Sequence, residues 1–257
     1  DSSSPSYKIV SAGTTDNTLN VLRFEGTNED IRLQEIALVL TNTSSSSPSD
    51  ISKVTLWDGA TTVGEAIFTG TNTVATSTIT GTVIVPKNDS KLITIKADLA
   101  GHGQGLVGQP GAFIAIDWDS SATIGTTGIG QGSGQTIEAG GSGSDTSSAG
   151  IRVFKSVPTI ELVSLPTSKL TAGRQPIFRF KVTASPQGSV GIYQITFRMS
   201  TTSATSQSGM ITDVNAYAFT DSGYSNPVSG LSTTDGRLAA SHSNTWAAAT
   251  TDIEITA

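Results

Sequence analysis

The hexapeptide Glu35-Ile36-Ala37-Leu38-Val39-Leu40 decides the fold class of this chain. On an extended backbone, Ile36, Leu38 and Leu40 share one face and the residues between them share the other. Apolar side chains at every second residue are typical of a strand, because a helix would repeat them every 3.6 residues. The segment Leu92–Leu99 alternates in the same way, and Thr78–Val85 is expected to form another strand. No stretch of useful length has a helical period. The sequence therefore predicts an all-β protein.

This hexapeptide belongs to a pattern of three strands that occurs twice in the chain. The first copy comprises Leu22–Glu25, Glu35–Leu40 and Asp50–Gly59, and the second comprises Phe178–Lys181, Tyr193–Met199 and Met210–Tyr217. The spacing within the two copies differs by about four residues, which is the variation expected of loops in repeated modules. The repeat predicts two tandem β-sandwich domains, at residues 1–155 and 156–257.

Residues 119–150 are rich in glycine and serine and are expected to join the two sandwiches. One interpretation is a flexible loop or linker, since glycine raises the entropic cost of ordering the backbone. The other is an extended excursion that packs against a neighbouring subunit. The sequence leaves both open.

Composition argues against several classes of function. The 257 residues include 14% charged and 36% hydrophobic residues, with a net charge of −6 and a pI near 4.8. This balance is unlike that of a disordered acidic tail, and it offers no basic stripe for nucleic acid. The absence of cysteine favours a prokaryotic surface protein or a cytosolic one. The start at Asp1 suggests a processed, secreted protein, and no apolar run of about 18 residues predicts a membrane span.

The second copy offers fewer strands than the first. After Met210–Tyr217 only Asp252–Thr256 has strand character, so at least one strand of the sandwich lacks a counterpart. A missing strand would remove about 5–9 kcal/mol of side-chain burial and leave an open edge. Either the chain is part of a longer array or a neighbouring molecule supplies the strand. Both interpretations predict assembly with other copies.

Two segments of the chain are candidates for such strand donation. The N-terminal arm, residues 1–10, is extended and largely uncharged, and its apolar side chains are Tyr7, Ile9 and Val10. We expect this arm to be the donor. The acceptor edge is expected in the second module, where Ile253 and Ile255 mark its last strand.

Two clusters of carboxylates are candidate Ca²⁺ ligands, because Ca²⁺ prefers hard oxygen atoms. Asp117 and Asp119 lie on one face at a strand end, and Glu29 and Asp30 lie in a turn. Neither cluster has an ordered ligand spacing, so solvated turns are the competing interpretation. No cofactor other than Ca²⁺ is indicated.

Other chemistry is sparse, and the chain is not expected to be an enzyme. His102 and His242 stand apart from any metal-ligand or nucleophile pattern. Asn42 and Asn88 begin triplets that match N-glycosylation acceptors. The aromatic residues Trp57, Trp118 and Trp246 serve either the cores or a sugar-stacking platform.

The first module resembles the Ig-like modules of bacterial surface-layer, adhesin and stalk proteins. The residues that carry the resemblance are Phe24, Ile36–Leu40, Ile51–Gly59, Val63-Gly64, Val85-Pro86 and Leu92–Leu99. It covers residues 7–118 and, less well, 157–219. It implies two Ig-like β-sandwiches in a cell-surface or extracellular protein that acts as a spacer or lattice unit without catalysis.

The function expected from these observations is that of a structural subunit in a surface layer or extracellular filament, with copies of itself as partners. The alternative is a carbohydrate-binding or adhesive module of a larger surface protein, with a cell-surface glycan as its partner.

Overall fold

The computed structural model describes residues 1–41, 43–120, 125–139, 147–169, 171–199, 214–231, 234–238 and 251–256. The chain forms two compact units, Asp1–Val190 and Gly191–Ala257. Regular structure in the described residues is strand, apart from one 3₁₀ turn at Pro48–Asp50. The prediction of an all-β protein is confirmed.

The described residues of the first unit form fourteen strands. They are β1 (Lys8–Ser11), β2 (Asn17–Gly26), β3 (Ile31–Thr41), β4 (Ile51–Asp58), β5 (Thr61–Ala66), β6 (Val74–Thr78), β7 (Ile84–Val85), β8 (Asp89–Leu99), β9 (Ala112–Trp118), β10 (Thr127–Gly130), β11 (Thr136–Glu138), β12 (Ile151–Phe154), β13 (Thr159–Leu162) and β14 (Phe180–Thr183). The second unit contains β15 (Gln194–Met199) and β16 (Thr251–Thr256).

Two sheets of the first unit enclose one hydrophobic core. The larger sheet has the order β1-β12-β9-β3-β10-β11, and β6 and β7 pair with β3 as well. The smaller sheet has the order β2-β8-β4-β5. The core side chains come from alternate positions of the strands in both sheets, which is the arrangement of a β-sandwich.

The strands with the strongest alternation contribute the centre of this core. The side chains of Ile36, Leu38 and Leu40 on β3 are buried, and so are those of Ile93 and Ile95 on β8. Each fully buried side chain of this size stabilises the fold by about 1.5–3 kcal/mol. The inward face expected from the sequence is confirmed for both strands.

One predicted strand is wrong. The segment Thr78–Val85 was expected to be continuous, but β6 ends at Thr78 and β7 begins at Ile84. Gly81 between them has a φ of +80°, in the left-handed region that no strand uses. Thr and apolar β-branched residues occur on both sides of this turn, so the sequence pattern did not reveal the break.

The Gly/Ser-rich segment forms part of the larger sheet. Its strands β10 and β11 pair as an antiparallel hairpin, and β10 pairs with β3 from Ile31 to Glu35. The described part of this segment therefore belongs to the first sandwich, and the second sandwich stays a prediction. After it, the chain returns to the same sheet through β12, which pairs with β9 and β1. Backbone pairing compensates here for the entropic cost of ordering glycine.

The predicted domain boundary near residue 155 coincides with the end of β12, whereas the compact units divide between Val190 and Gly191. The first unit thus includes β13 and β14 beyond its sandwich. They form a two-stranded antiparallel sheet. In the second unit, β15 and β16 form another. Leu238 of that unit packs against a small cluster of partly buried apolar side chains.

Candidate functional site

Among the described residues, the most exposed apolar surface of regular structure is the sheet of β13 and β14, which we call the ribbon. Ile160 is 68% exposed and Leu162 is 77% exposed. The register places Ile160 opposite Val182 and Leu162 opposite Phe180, so one face of the ribbon is apolar. Isolated exposed apolar residues are ordinary on protein surfaces, but a contiguous apolar face usually marks an interaction site.

The other face of the ribbon is polar and electrically balanced. Glu161 lies opposite Lys181, and their charged atoms are 3.9 Å apart with both side chains largely exposed. An exposed pair of this kind adds about 0–1 kcal/mol to stability. Because the two charges cancel, β13 and β14 carry no net charge that would repel a second ribbon.

The backbone of the ribbon can extend the sheet. The Val163 amide donates to the Arg179 carbonyl at 2.9 Å, which continues the β13–β14 ladder by one pair. Since donor direction alternates along an antiparallel strand, Ile160 and Leu162 direct their amides and carbonyls away from β14. Among the residues that the structure describes, this sheet has two strands. A two-stranded sheet is marginally stable in water unless further structure packs on it.

Asp117, a predicted Ca²⁺ ligand, is buried inside the sandwich. It is 1% exposed, and its carboxylate accepts hydrogen bonds from the Asn20 side-chain amide at 3.3 Å and the Thr41 hydroxyl at 3.0 Å. The backbone amide of Ser148 donates to it as well. Asn20 belongs to the smaller sheet and Thr41 to the larger one. Asp117 therefore connects both sheets with the segment before β12.

Asp119 is buried beside the same sheet, 8% exposed, and its backbone amide donates to the Ala37 carbonyl at 3.0 Å. Within the described ranges, no group of three or more His, Cys, Asp or Glu side chains could hold a metal ion. The structure does not bring the pair Asp117 and Asp119 together with Glu29 and Asp30 into one such group.

Glu29, from the second predicted Ca²⁺ cluster, accepts hydrogen bonds from the turn of the β10–β11 hairpin. Its carboxylate accepts from the backbone amides of Gly132 at 2.7 Å and Ser133 at 2.8 Å, and from the Ser133 hydroxyl at 2.7 Å. These hydrogen bonds, chiefly those from Ser133, lower the pKa of Glu29 from its usual value of 4.5. A side chain on Gly130 would collide with this carboxylate, which explains the glycine.

Asp30 holds a different neighbour. Its carboxylate accepts from the Lys87 amide at 2.7 Å, and its carbonyl accepts from the Gln131 amide at 2.8 Å. The pair Glu29 and Asp30 thus accepts hydrogen bonds from the β10–β11 turn and from Lys87 between β7 and β8. That these carboxylates bind Ca²⁺ stays a prediction.

The candidate donor arm lies within its own unit. Ile9 and Val10 belong to β1, which pairs in parallel with β12 of the same chain. Tyr7 stacks near Phe113 with ring centroids 6.2 Å apart, and the amino group of Asp1 donates to the Val21 carbonyl at 2.8 Å. Donation of this arm to another molecule would require β1 to leave β12.

The candidate acceptor strand is also paired. Ile253 and Ile255 of β16 lie opposite Phe197 and Ile195 of β15. Strand β16 therefore has at most one edge available to another chain. The predicted strand itself is confirmed.

The remaining predicted residues lie in separate places in the described part of the chain. Asn88 lies in an exposed turn with a φ of +55°, and Asn42 lies outside the described residues, as does Trp246. Trp57 is on the smaller sheet beneath the Lys96 ammonium, 3.8 Å from the ring centroid. Trp118 is on the larger sheet and donates to the Thr126 hydroxyl at 2.7 Å. The two described tryptophans serve separate sheets, so they do not make a common platform.

Sequence reasoning missed one buried pair of titratable side chains. His102 is 5% exposed and lies near Asp50, which is 1% exposed. The signal for Asp50 was the segment Ser47-Pro48-Ser49-Asp50, whose spacing fits a capping box. No sequence signal indicated the burial of His102.

No helix in the described part of the chain combines the length and apolar character needed to cross a membrane. No family model, no curated protein and no solved structure matches this chain.

Proposed function

We propose that this protein is a structural subunit of an extracellular assembly, a surface layer or a filament, in which copies contact one another through the ribbon. The observation that carries the proposal is the exposed apolar face around Ile160 and Leu162. Packing against that face stabilises a two-stranded sheet that is marginal by itself. The absence of cysteine is compatible with a prokaryotic surface protein as well as with a cytosolic one, so the extracellular setting is part of the proposal.

A second copy is the occupant that best fits the ribbon. Its apolar face can pack on the same face of a second copy about a twofold axis, and its open strand edge supplies the further contact that a continuous lattice needs. The pairing of Glu161 with Lys181 leaves no net charge on the opposite face to oppose this approach. Burying Ile160 and Leu162 yields roughly 3–6 kcal/mol per copy before the cost of association. Each contact is therefore weak, and a lattice gains strength from many of them.

The strand order of the first unit supports an Ig-like assignment for its sandwich. Strands β2, β8 and β4 occupy the positions of B, E and D in one Ig sheet, and β12, β9 and β3 those of G, F and C in the other. An Ig-like sandwich is a rigid spacer that exposes loops and edges for contact. For the second module, the Ig-like assignment rests on the sequence repeat.

The test is electron microscopy and light scattering of the purified full chain. The double variant Ile160→Ser with Leu162→Ser removes the apolar face at exposed positions, so its fold and unfolding midpoint should match the wild type. The matched control is Ile67→Ser with Val107→Ser, at positions 56% and 67% exposed outside the ribbon. We expect ordered sheets or fibres from the wild type and the control, and dispersed particles from the ribbon variant.

Two outcomes contradict the proposal. One is a wild type that stays dispersed. The other is a ribbon variant that assembles like the wild type. Glycan binding by a dispersed wild-type monomer would favour an adhesive or carbohydrate-binding module instead.

A further inference from the structure

The loop from Gly101 to Gly111 encloses His102, which is almost completely buried. No protein group in the described residues hydrogen-bonds to Nδ1 or Nε2 of its imidazole. Gly108 packs directly on the ring, because a Cβ atom there would lie 2.9 Å from Nε2. The Gly108 amide also donates to the Gly101 carbonyl at 3.2 Å, which closes the loop around the ring. The closed loop therefore fits a neutral imidazole and leaves both ring nitrogens of His102 without a hydrogen-bond partner among the described residues.

Asp50 attaches this loop to the sandwich. One carboxylate oxygen accepts from the Gln109 amide at 2.7 Å, and the other accepts from the Ser47 amide at 2.8 Å. The Asp50 carbonyl accepts from the Ala100 amide at 2.9 Å. The carboxylate of Asp50 is thus the anchor for Gln109 in the loop and for the 3₁₀ turn at Pro48–Asp50.

Among the described residues, Asp50 is the charged group whose field acts on His102. Every other residue from Gly101 to Gly111 is Gly, Gln, Leu, Val or Pro, so the loop adds no titratable group. Burial lowers the pKa of His102 from 6.5, and the charge of Asp50 acts in the opposite direction. A protonated His102 would compete with the Gln109 amide for the Asp50 carboxylate, since a charged donor makes the stronger hydrogen bond.

From this geometry we propose that the loop Gly101–Gly111 is an acid-released latch, closed over a neutral His102 at neutral pH and opened when His102 takes up a proton. Opening lets the imidazolium reach water and detaches Gln109 from Asp50. The latch is independent of the ribbon, so its failure would leave the assembly proposal unaffected.

The direction of the pH effect follows from proton linkage. His102 binds a proton more readily in the open loop than in the closed one, because burial depresses the pKa of the closed state. The contribution of the neutral imidazole to closing is therefore complete above the ordinary pKa of 6.5. It falls as pH drops below 6.5, until the lowered closed-state pKa is passed. Within that window the opening equilibrium rises by up to about tenfold per pH unit.

Hydrogen exchange of the full chain tests the latch. The amides of Gly108 and Gln109 report opening, and the amide of Ile95 in the core serves as the reference. Between about pH 7.5 and about pH 5.5 we expect their protection factors to fall relative to that of Ile95. The variants His102→Asn and His102→Phe should abolish this dependence on pH, and His242→Asn should retain it.

Two results would overturn the proposal. One is a wild type whose Gly108 and Gln109 protection does not change over this pH range. The other is a His102→Asn or His102→Phe protein that folds and still opens with acid. Asn is smaller than His, whereas Phe keeps the bulk of the ring. If one of the two variants fails to fold, the other variant therefore still tests the dependence on pH.

Discussion

The side-chain amide of Asn20 on β2 donates a hydrogen bond to the carboxylate of Asp117 on β9, 3.3 Å away and inside the core. The two residues belong to opposite sheets of the sandwich. Asn20 also donates to the Ile116 carbonyl at 3.1 Å, and its carbonyl oxygen accepts from the Ser4 hydroxyl at 3.0 Å. The N-terminal arm, the smaller sheet and the larger sheet thus meet in one buried polar network.

Replacing Asp117 with Ala should destabilise the first unit by about 2–3 kcal/mol. The change leaves the donors of Asn20, Thr41 and Ser148 without this acceptor in a buried site. Urea unfolding monitored by circular dichroism measures the loss.

The control for Asp117 is Glu65→Gln, which breaks an exposed pair with Lys53 and should cost well under about 1 kcal/mol. Both measurements are repeated with added Ca²⁺ and with a chelator. A cost for Asp117→Ala that appears only with Ca²⁺ present would show that the carboxylate is a metal ligand and not a structural acceptor.

Thr126 attaches the Gly/Ser-rich segment to the sandwich. Its hydroxyl oxygen accepts from the Trp118 indole at 2.7 Å and from the Ala37 amide at 3.0 Å. Thr126→Val keeps the shape but leaves two donors unsatisfied, so we expect a loss of about 2–3 kcal/mol and altered Trp118 fluorescence. The exposed substitution Thr136→Val is the matched control. Equal stability of the two variants would mean that the hydrogen bonds of Thr126 do not anchor the Gly/Ser-rich segment.

Glu29 should control the turn of the β10–β11 hairpin. In Glu29→Ala the amides of Gly132 and Ser133 lose their acceptor, so their hydrogen exchange should become faster while core amides keep their rates. Glu138→Ala, at the exposed end of the same hairpin, should leave both amides protected.

The same hydrogen bonds predict how the turn responds to acid. Because they lower the pKa of Glu29 below 4.5, the contribution of the ionised carboxylate is complete above 4.5 and is lost as pH falls through the lowered value. In the wild type, the hydrogen-exchange protection of the Gly132 and Ser133 amides should fall as Glu29 becomes protonated. In Glu29→Ala this fall should be absent. A step that persists in the variant would assign the effect to another group.

The parts of the fold that sequence predicts are those with strict local alternation. Strand β8 is one example. Its local alternation is enough to predict that Ile93 and Ile95 face a core, without knowledge of the strands that pair with it. Strand β10, with Thr127-Gly128-Ile129-Gly130, lacks that signal, since its structure depends on pairing with β3, far away in the chain. The break near Gly81 was missed because apolar alternation does not reveal a positive φ.

The candidate sites show the same limit. Asp117 is visible in the sequence as a carboxylate at a strand end, but its role depends on Asn20, Thr41 and Ser148, which lie in other segments. The alternation of Thr159–Leu162 predicts a strand without showing whether its apolar side chains are covered. Burial is a property of tertiary packing, which one segment does not encode.

The measurement that tests the central claim most directly is sedimentation velocity of the full chain over a wide range of concentrations at neutral pH. We predict that the wild type and the Ile67→Ser/Val107→Ser control shift to larger species as concentration rises, whereas Ile160→Ser/Leu162→Ser sediments as a monomer throughout. A wild type that remains a single monomeric species at every concentration would contradict the account.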